Sequence, residues 1–260
     1  PYSMIMGTTK IAEPKTDKFG INARFTFVEQ LVSMVADGVQ PSAIITGEGG
    51  LGKTYTVVKT LETKGYSDIS DLADFQVGMI LNARKCFTMV KGYSTAKGLY
   101  RTLFENNKSV IVFDDCDSVL KDPIALNILK SALDSYGKRI ISWNADMRDD
   151  DLPRSFNFEG RVVFISNLNQ EGIDQAIRSR SMMIDLSMTL DQKIERMETI
   201  SAAESFMPEY DKKFVSDALT LIKDIKNEVK EISLRTLIAV TKVRASNDDW
   251  KDLATYMLTN

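Results

Sequence analysis

Gly47-Glu48-Gly49-Gly50-Leu51-Gly52-Lys53-Thr54 fits the pattern G-x-x-x-x-G-K-[ST] at every fixed position, and that pattern is useful to a chain only between a strand and a helix. Both flanks are supplied. Residues 42–46 form a short apolar run suited to a buried strand, and residues 54–61 can continue as a helix. In that order the glycines let the backbone curl until successive N–H groups face one anion, which also meets the positive end of the helix dipole. Gly47, Gly49, Gly50 and Gly52 are therefore the expected phosphate-facing backbone, with Lys53, Thr54 and Tyr55 at the helix start completing the nucleotide contacts. Lys53 is placed to reach the β- and γ-phosphates of a nucleoside triphosphate, and the Thr54 hydroxyl to hold Mg²⁺.

A second signature lies downstream. Ser109-Val110-Ile111-Val112-Phe113-Asp114-Asp115-Cys116-Asp117 reads as a fully buried parallel strand that ends in carboxylates, at the sheet edge where ligands bind in open α/β folds. Asp114 is expected to bind the Mg²⁺ shared with Thr54, directly or through water. Asp115 is expected to orient and activate an attacking water.

Composition narrows the chemistry. The 260 residues contain no histidine, which excludes Ser-His and Cys-His nucleophilic schemes and His-based metal sites. Catalysis has to rest on carboxylates, Lys, Arg and a metal. Cys86 and Cys116 sit in apolar runs without metal-ligand spacing and read as buried free thiols of a reducing cytoplasm, with a disulfide the alternative. Net charge is −3, from 33 basic and 36 acidic side chains, so the fold as a whole is not a basic nucleic-acid binder, although a local patch is allowed. No apolar run approaches the roughly 18 residues of a membrane span, and a cytoplasmic location is expected.

Periodicity orders the rest. Residues 1–20 read as an extended arm that begins at Pro1 rather than Met, as a fragment or processed form would. Phe25, Val28, Leu31, Val32 and Val35 have helical spacing, and the Gly20-Ile21 segment before them is either an adenine-lining element or a plain linker. Residues 85–90 read as a strand, the turn at Lys91-Gly92-Tyr93-Ser94 opens a helix, and Asp122-Pro123 starts another. Residues 139–143 and 160–167 read as strands separated by polar residues 144–154 and the aromatic pair Phe156 and Phe158, with the second ending at Asn167, where an amide would meet the attacking water or γ-phosphate. A short helix then carries Arg178 and Arg180, and residues 182–186 return as a strand. From Thr189 onward the pattern is helical, and Arg235 stands at the start of a helix from which a guanidinium can reach back to the nucleotide. The expected domains are an arm (1–20), an α/β nucleotide-binding domain (21–188) and a helical lid (189–260).

In this order the motifs resemble those of AAA+ ATPases, over roughly residues 20–245. The resemblance rests on the glycine loop, the acidic strand, Asn167 in the sensor 1 position, Arg180 in the arginine-finger box and Arg235 in the sensor 2 position. It implies an α/β three-layer P-loop fold with a parallel sheet in order 5-1-4-3-2, a four-helix lid, ATP and Mg²⁺ as ligands, and subunits sharing sites in a homo-oligomeric ring, usually a hexamer. Arg178 rivals Arg180 for the finger. The chain departs from the family where its water-activating Glu is replaced by Asp115, one methylene shorter, which implies slow hydrolysis or a shifted strand. The order of motifs is also similar to that of uncharacterised ATPases encoded by tailed phages, which would act in the bacterial host cytoplasm.

Two targets compete. A DNA-related motor or loader, serving replication, recombination or packaging, would use a hairpin across residues 140–164, with Lys138, Arg139, Trp143, Arg148 and Arg154 pairing phosphates and stacking bases. Asp146, Asp149, Asp150 and Asp151 in the same loop oppose it, and a solvated connection is the bland alternative. A protein-remodelling or threading ATPase would instead use Tyr93 as an aromatic pore residue, which is otherwise a packed turn tyrosine. A partner-activated ATP switch stays open as well.

Overall fold

Within the computed structural model, which describes residues 18–70, 82–92, 95–143 and 151–260, the uninterrupted apolar runs become the middle of a parallel sheet. In chain order the elements are α1 (Ile21–Ala36), β1 (Ser42–Thr46), α2 (Lys53–Thr63), β2 (Ser67–Asp68), β3 (Cys86–Lys91), α3 (Ala96–Glu105), β4 (Val110–Asp114) and α4 (Pro123–Leu133). They continue with β5 (Ile140–Ser142), β6 (Ser155–Asn157), β7 (Arg161–Ser166), α5 (Gln175–Arg180), β8 (Met182–Asp185), α6 (Leu190–Ser201), α7 (Lys212–Asp224), α8 (Leu234–Ser246) and α9 (Lys251–Thr259).

β1, β4 and β7 are almost continuously buried because helices cover both sheet faces. On one face α3, α4 and α5 bury Ile111, Phe113, Val162 and Phe164, with the Phe113 and Phe164 rings stacked at 5.7 Å. On the other, α1 and α2 bury Ala43, Ile45, Val110, Val112 and Val163. Side chains alternate between faces along each strand, so both cores draw on the same strands. Each fully buried Ile, Val or Phe contributes about 1.5–3 kcal/mol to holding these layers together.

The sheet has six strands in the order β2-β3-β4-β7-β1-β8, which differs from the expected five-strand order. Hydrogen bonding adds β2, a two-residue pair at the edge of β3. A stretch this short has no periodicity to read. The expected hairpin is also corrected: β5 pairs antiparallel with β6, Ile141 opposite Phe156, and β7 belongs to the main sheet. Tyr100, Phe104 and Phe158 gather around Phe156, which draws the β6 segment onto α3. The sequence shows the aromatic pair Phe156 and Phe158 there, after the polar residues 144–154, but no strand period.

After β8 the helices α6 to α9 close around Met197, Ala218, Ile222, Leu237, Val240 and Ala254. Thr189 and Ser233 start α6 and α8 with reciprocal capping boxes, which satisfy N–H groups that a helix start leaves orphaned. Among the described residues no helix is long and apolar enough to cross a membrane. Cys86 and Cys116 are free and buried. Most of the arm, and Tyr93, Asp146, Arg148, Asp149 and Asp150, lie outside the described residues.

Candidate functional site

At the carboxyl end of β1 the chain turns through Gly47, Gly50 and Gly52 at φ of 130°, 92° and 101°, a region glycine occupies without steric cost. The turn is also crowded. A Cβ on Gly47 would lie 2.8 Å from the Leu186 carbonyl carbon, and one on Gly50 would lie 2.8 Å from Ser233 Cβ. A Cβ on Gly49 would come within 3.2 Å of Asn167 Oδ1, a tight but yielding contact. The loop is therefore wedged between the exit of β8, the end of β7 and the start of α8. Gly52 caps α2 without a side-chain hydrogen bond, so the N–H groups of the first turn are left to another acceptor.

Lys53 opens α2 and is only 5% exposed. Its Nζ donates to Gly47 O, to Ser166 O at 3.1 Å and to Asn167 Oδ1 at 3.1 Å. All three acceptors are neutral. Burial lowers its pKa to about 8, and the pull of Asp114, Asp117, Asp115 and Asp185 in the other direction does not offset this. A buried ammonium without a contacting carboxylate favours the arrival of an anion, because pairing recovers the electrostatic energy lost on desolvation.

Two further links carry the network outward. Asn167 Nδ2 donates to Asp115 Oδ1 at 3.2 Å, so one amide connects Lys53 to the acid. Thr54 Oγ1 donates to Asp114 Oδ2 at 2.9 Å, which ties the start of α2 to the end of β4. Asp115 is exposed and adopts φ 57°, a left-handed conformation uncommon outside glycine but tolerated by Asp. The twist there breaks the strand direction just after Asp114 and separates the two carboxylates' surroundings.

The Cys116 thiol, just beyond, is pushed up to about 11, first by burial and then by the Asp114 charge, and is inert as a nucleophile. No cluster of three or more His, Cys, Asp or Glu among the described residues forms a ready-made metal cage. A hydroxyl beside a single carboxylate can hold a hard cation that draws its remaining ligands from water and phosphate oxygens.

Two carboxylates near Lys53 were not singled out by sequence reading. Asp117 accepts from Ser166 Oγ at 2.7 Å, and Asp185, at the end of β8, accepts from Thr46 Oγ1 at 3.1 Å. Asp117 belonged to the acidic run and Asp185 ended a strand beside β1, so both had a positional signal. Their pairing with strand-end hydroxyls needed the sheet register.

The helical region touches the loop directly. Leu51 is buried among Ile194, Met197 and Leu237, the Leu234 N–H donates to Gly50 O at 2.9 Å, and Lys193 pairs with Glu48 at 2.5 Å. Arg196, also unremarked in the sequence, places its guanidinium 3.7 Å from the Phe25 ring centroid and 4.0 Å from where a Gly52 Cβ would lie.

The remaining expected site residues stand apart from the Lys53 network. Tyr55 is 68% exposed on the first turn of α2, and Arg235 is exposed one residue beyond the Leu234 contact. On α5, Arg178 donates to Gln175 Oε1 at 2.5 Å and Arg180 donates back to Ala176 O at 2.9 Å. Neither arginine is hydrogen-bonded to the glycine loop. The expected nucleic-acid face is altered too. Trp143 packs edge-on against Tyr100 at 5.6 Å, and Arg139 turns away to Ala132 O and Gly160 O, leaving Lys138 and Arg154 exposed.

The chain is similar to an uncharacterised 36.7 kDa protein from the nrdC-mobD intergenic region of Enterobacteria phage T4, with 28% identity over an alignment that covers 92% of this chain and 74% of that protein. No protein-family model matches the chain.

Proposed function

We propose that the protein is a Mg²⁺-dependent ATPase of the AAA+ type that works as a homo-oligomeric ring, a hexamer, in a DNA-related task of a phage-infected cell. The observation that carries the reading is the buried Lys53 ammonium, held by neutral oxygens at the mouth of a glycine turn. A phosphate chain supplies the directly contacting anion that Lys53 lacks. The crowded glycines leave backbone N–H groups as the recognition surface, as phosphate binding at a helix start requires.

The donor set suits magnesium. Thr54 and Asp114 would hold the ion, which supplies charge neutralisation on the phosphate oxygens. Asp115 is the base in this reading: exposed and held at one oxygen by Asn167, it keeps the other free to accept a proton from water. Asn167 links that base to Lys53, so the amide is set to respond when Lys53 exchanges its neutral acceptors for phosphate. Arg235, close behind the Leu234 contact, is the proposed γ-phosphate sensor in cis. Arg180, or its rival Arg178, is the group offered to a neighbouring subunit, which fits their lack of any bond to this chain's own loop.

The DNA-related task rests on the separate β5–β6 hairpin just ahead of β7 and on the exposed Lys138 and Arg154 beside it. The direct test is ATP binding and turnover with purified protein. Asp115→Ala is expected to bind ATP and lose hydrolysis, and Arg180→Ala to bind ATP and lose hydrolysis only in the assembled state. Absence of ATP binding at millimolar concentration would overturn the whole reading. Duplex and single-stranded DNA should accelerate turnover at low salt and lose that effect in Arg154→Ala, whereas acceleration by an unfolded protein instead would redirect the target.

A further inference from the structure

The amino end of the sheet, opposite the glycine loop, contains a cavity of about 710 Å³ whose cations are Arg84, Lys85, Lys108, Arg139 and Arg161. They arrive from four places in the chain. Arg84 and Lys85 stand on the turn entering β3, Lys108 just before β4, Arg139 just before β5 and Arg161 at the first position of β7. Three carboxylates share the lining, but each is engaged. Asp37 pairs with Lys64 at 2.8 Å, Glu159 with Lys108 at 3.7 Å, and Asp134 accepts the Tyr136 N–H at 3.1 Å.

Helix capping accounts for two of the five cations. Arg161 donates to Val35 O and Ala36 O, the last carbonyls of α1, and Arg139 donates to Ala132 O near the end of α4. Capping explains why a guanidinium is tolerated there. It does not explain why both face one cavity, where burial and then the Arg161 charge lower the Arg139 pKa. Nor does it explain the others. Lys85 lies 5.3 Å from the Tyr66 ring centroid on the same ring that Arg161 approaches at 5.6 Å, and neither Arg84 nor Lys85 forms an ion pair with its side chain among the described residues. Like charges gathered around one concavity raise the energy of the empty site and lower it when an anion enters.

We infer that this cavity binds a compact, multiply charged phosphate compound, with Arg84 and Lys85 as the free donors at its rim and Arg139 and Arg161 as fixed charges in its wall. The volume falls within the about 300–1,000 Å³ range of small-molecule sites, and the ligand's charge is set by the surplus of cations over engaged carboxylates. Guanidinium forks suit phosphate oxygens in pairs. The site is independent of the glycine loop and of what that loop binds.

Calorimetric titration of Lys53→Met protein with inorganic pyrophosphate, and in a second arm with fructose 1,6-bisphosphate, removes the loop's lysine from the measurement. One site per chain is expected for at least one probe, and the tighter probe tells whether the cavity prefers an inorganic or an organic phosphate. Adding Arg84→Ala and Lys85→Ala, both exposed positions, should weaken that site at least tenfold without changing the thermal midpoint. No binding of either probe to the Lys53→Met protein, or affinity indifferent to Arg84 and Lys85, overturns the inference. A 20-base-pair duplex that binds through Arg84 and Lys85 while neither small phosphate does would overturn it in favour of a nucleic-acid surface.

Discussion

The two ends of the sheet handle positive charge in opposite ways. At the carboxyl end a single ammonium, Lys53, is buried against neutral oxygens while four aspartates, Asp114, Asp115, Asp117 and Asp185, stand around it. At the amino end five cations share an open cavity, and the guanidiniums of the wall donate to helix-end carbonyls and to Gly160 O, Arg84 O and the Tyr66 hydroxyl. The first arrangement is tense without a ligand, since its charge is desolvated and unpaired. The second is structurally satisfied, and its surplus is mainly one of charge. A ligand at the carboxyl end should therefore change the protein's own stability and geometry strongly, whereas one at the amino end should bind with little rearrangement.

The largest effect that would break this contrast is catalytic. Asp115→Ala is expected to cut ATP turnover by about 10²–10⁴-fold, the ordinary worth of a positioned base, with ATP affinity nearly unchanged. Steady-state rates alongside a binding isotherm check it, and undiminished turnover would remove Asp115 from that role.

Next in size is the stability of Lys53 itself. Its folded pKa of about 8 lies below the usual 10.5, so the unfolded chain holds the proton more tightly between those values. The Lys53 contribution to the stability of the ligand-free protein should consequently rise as pH increases from about 8 towards 10.5, by up to ~3 kcal/mol at about 1.4 kcal/mol per unit, while the Cys116 thiol, raised from 9.0 to about 11, pulls the other way above about pH 9. Lys53→Met should flatten that rise and be more stable than the native protein below pH 8, as chemical denaturation across the range would reveal. A stability advantage of Lys53→Met over the native protein that does not shrink from pH 8 to 10.5 would contradict the tension assigned to the carboxyl end.

The loop's wedge predicts a smaller change. Gly50→Ala puts a methyl at φ 92° and 2.8 Å from Ser233 Cβ, and about 1–3 kcal/mol of destabilisation is expected from a strained backbone with a displaced α8 start. Thermal unfolding measures the cost, and Ser233→Gly should recover the contact part of it. At the amino end Arg139→Met removes two hydrogen bonds to carbonyls and should cost about 1–3 kcal/mol while leaving ATP binding intact. Loss of ATP affinity in that variant would mean that the two ends are coupled. Smallest of all, Lys193→Ala breaks a pair whose Glu48 partner is largely exposed, for a cost of about 0–1 kcal/mol.

The motif residues that meet in space were legible because each sat at the end of a strand or the start of a helix. Parallel strands bring their carboxyl ends together, so Lys53, Thr54, Asp114, Asp115 and Asn167 could be read as neighbours from hydrophobic runs and spacing alone. The separation of faces was legible for the same reason, since unbroken apolar strands require helices on both sides. Short pairings were not. β2 has two residues and β6 three, too few for any periodicity, and their existence depends on where neighbouring strands and Tyr100 already stand. Trp143 shows the limit from the other direction: beside basic residues it reads as a stacking platform, yet the fold uses it against Tyr100.

Sequence by itself determined the glycine turn, the acidic strand end, the all-helical final third and the absence of histidine chemistry. Those are local properties, set by backbone freedom, by side-chain period and by composition. Tertiary structure alone decided that Lys53 would be buried among neutral oxygens, that Arg196 and Ser233 would press on the loop from the helical region, and that cations from four separate places in the chain would line one cavity. Burial and charge proximity are sums over residues far apart in the chain, and only the register of the strands and the docking of the helices determine which residues enter each sum.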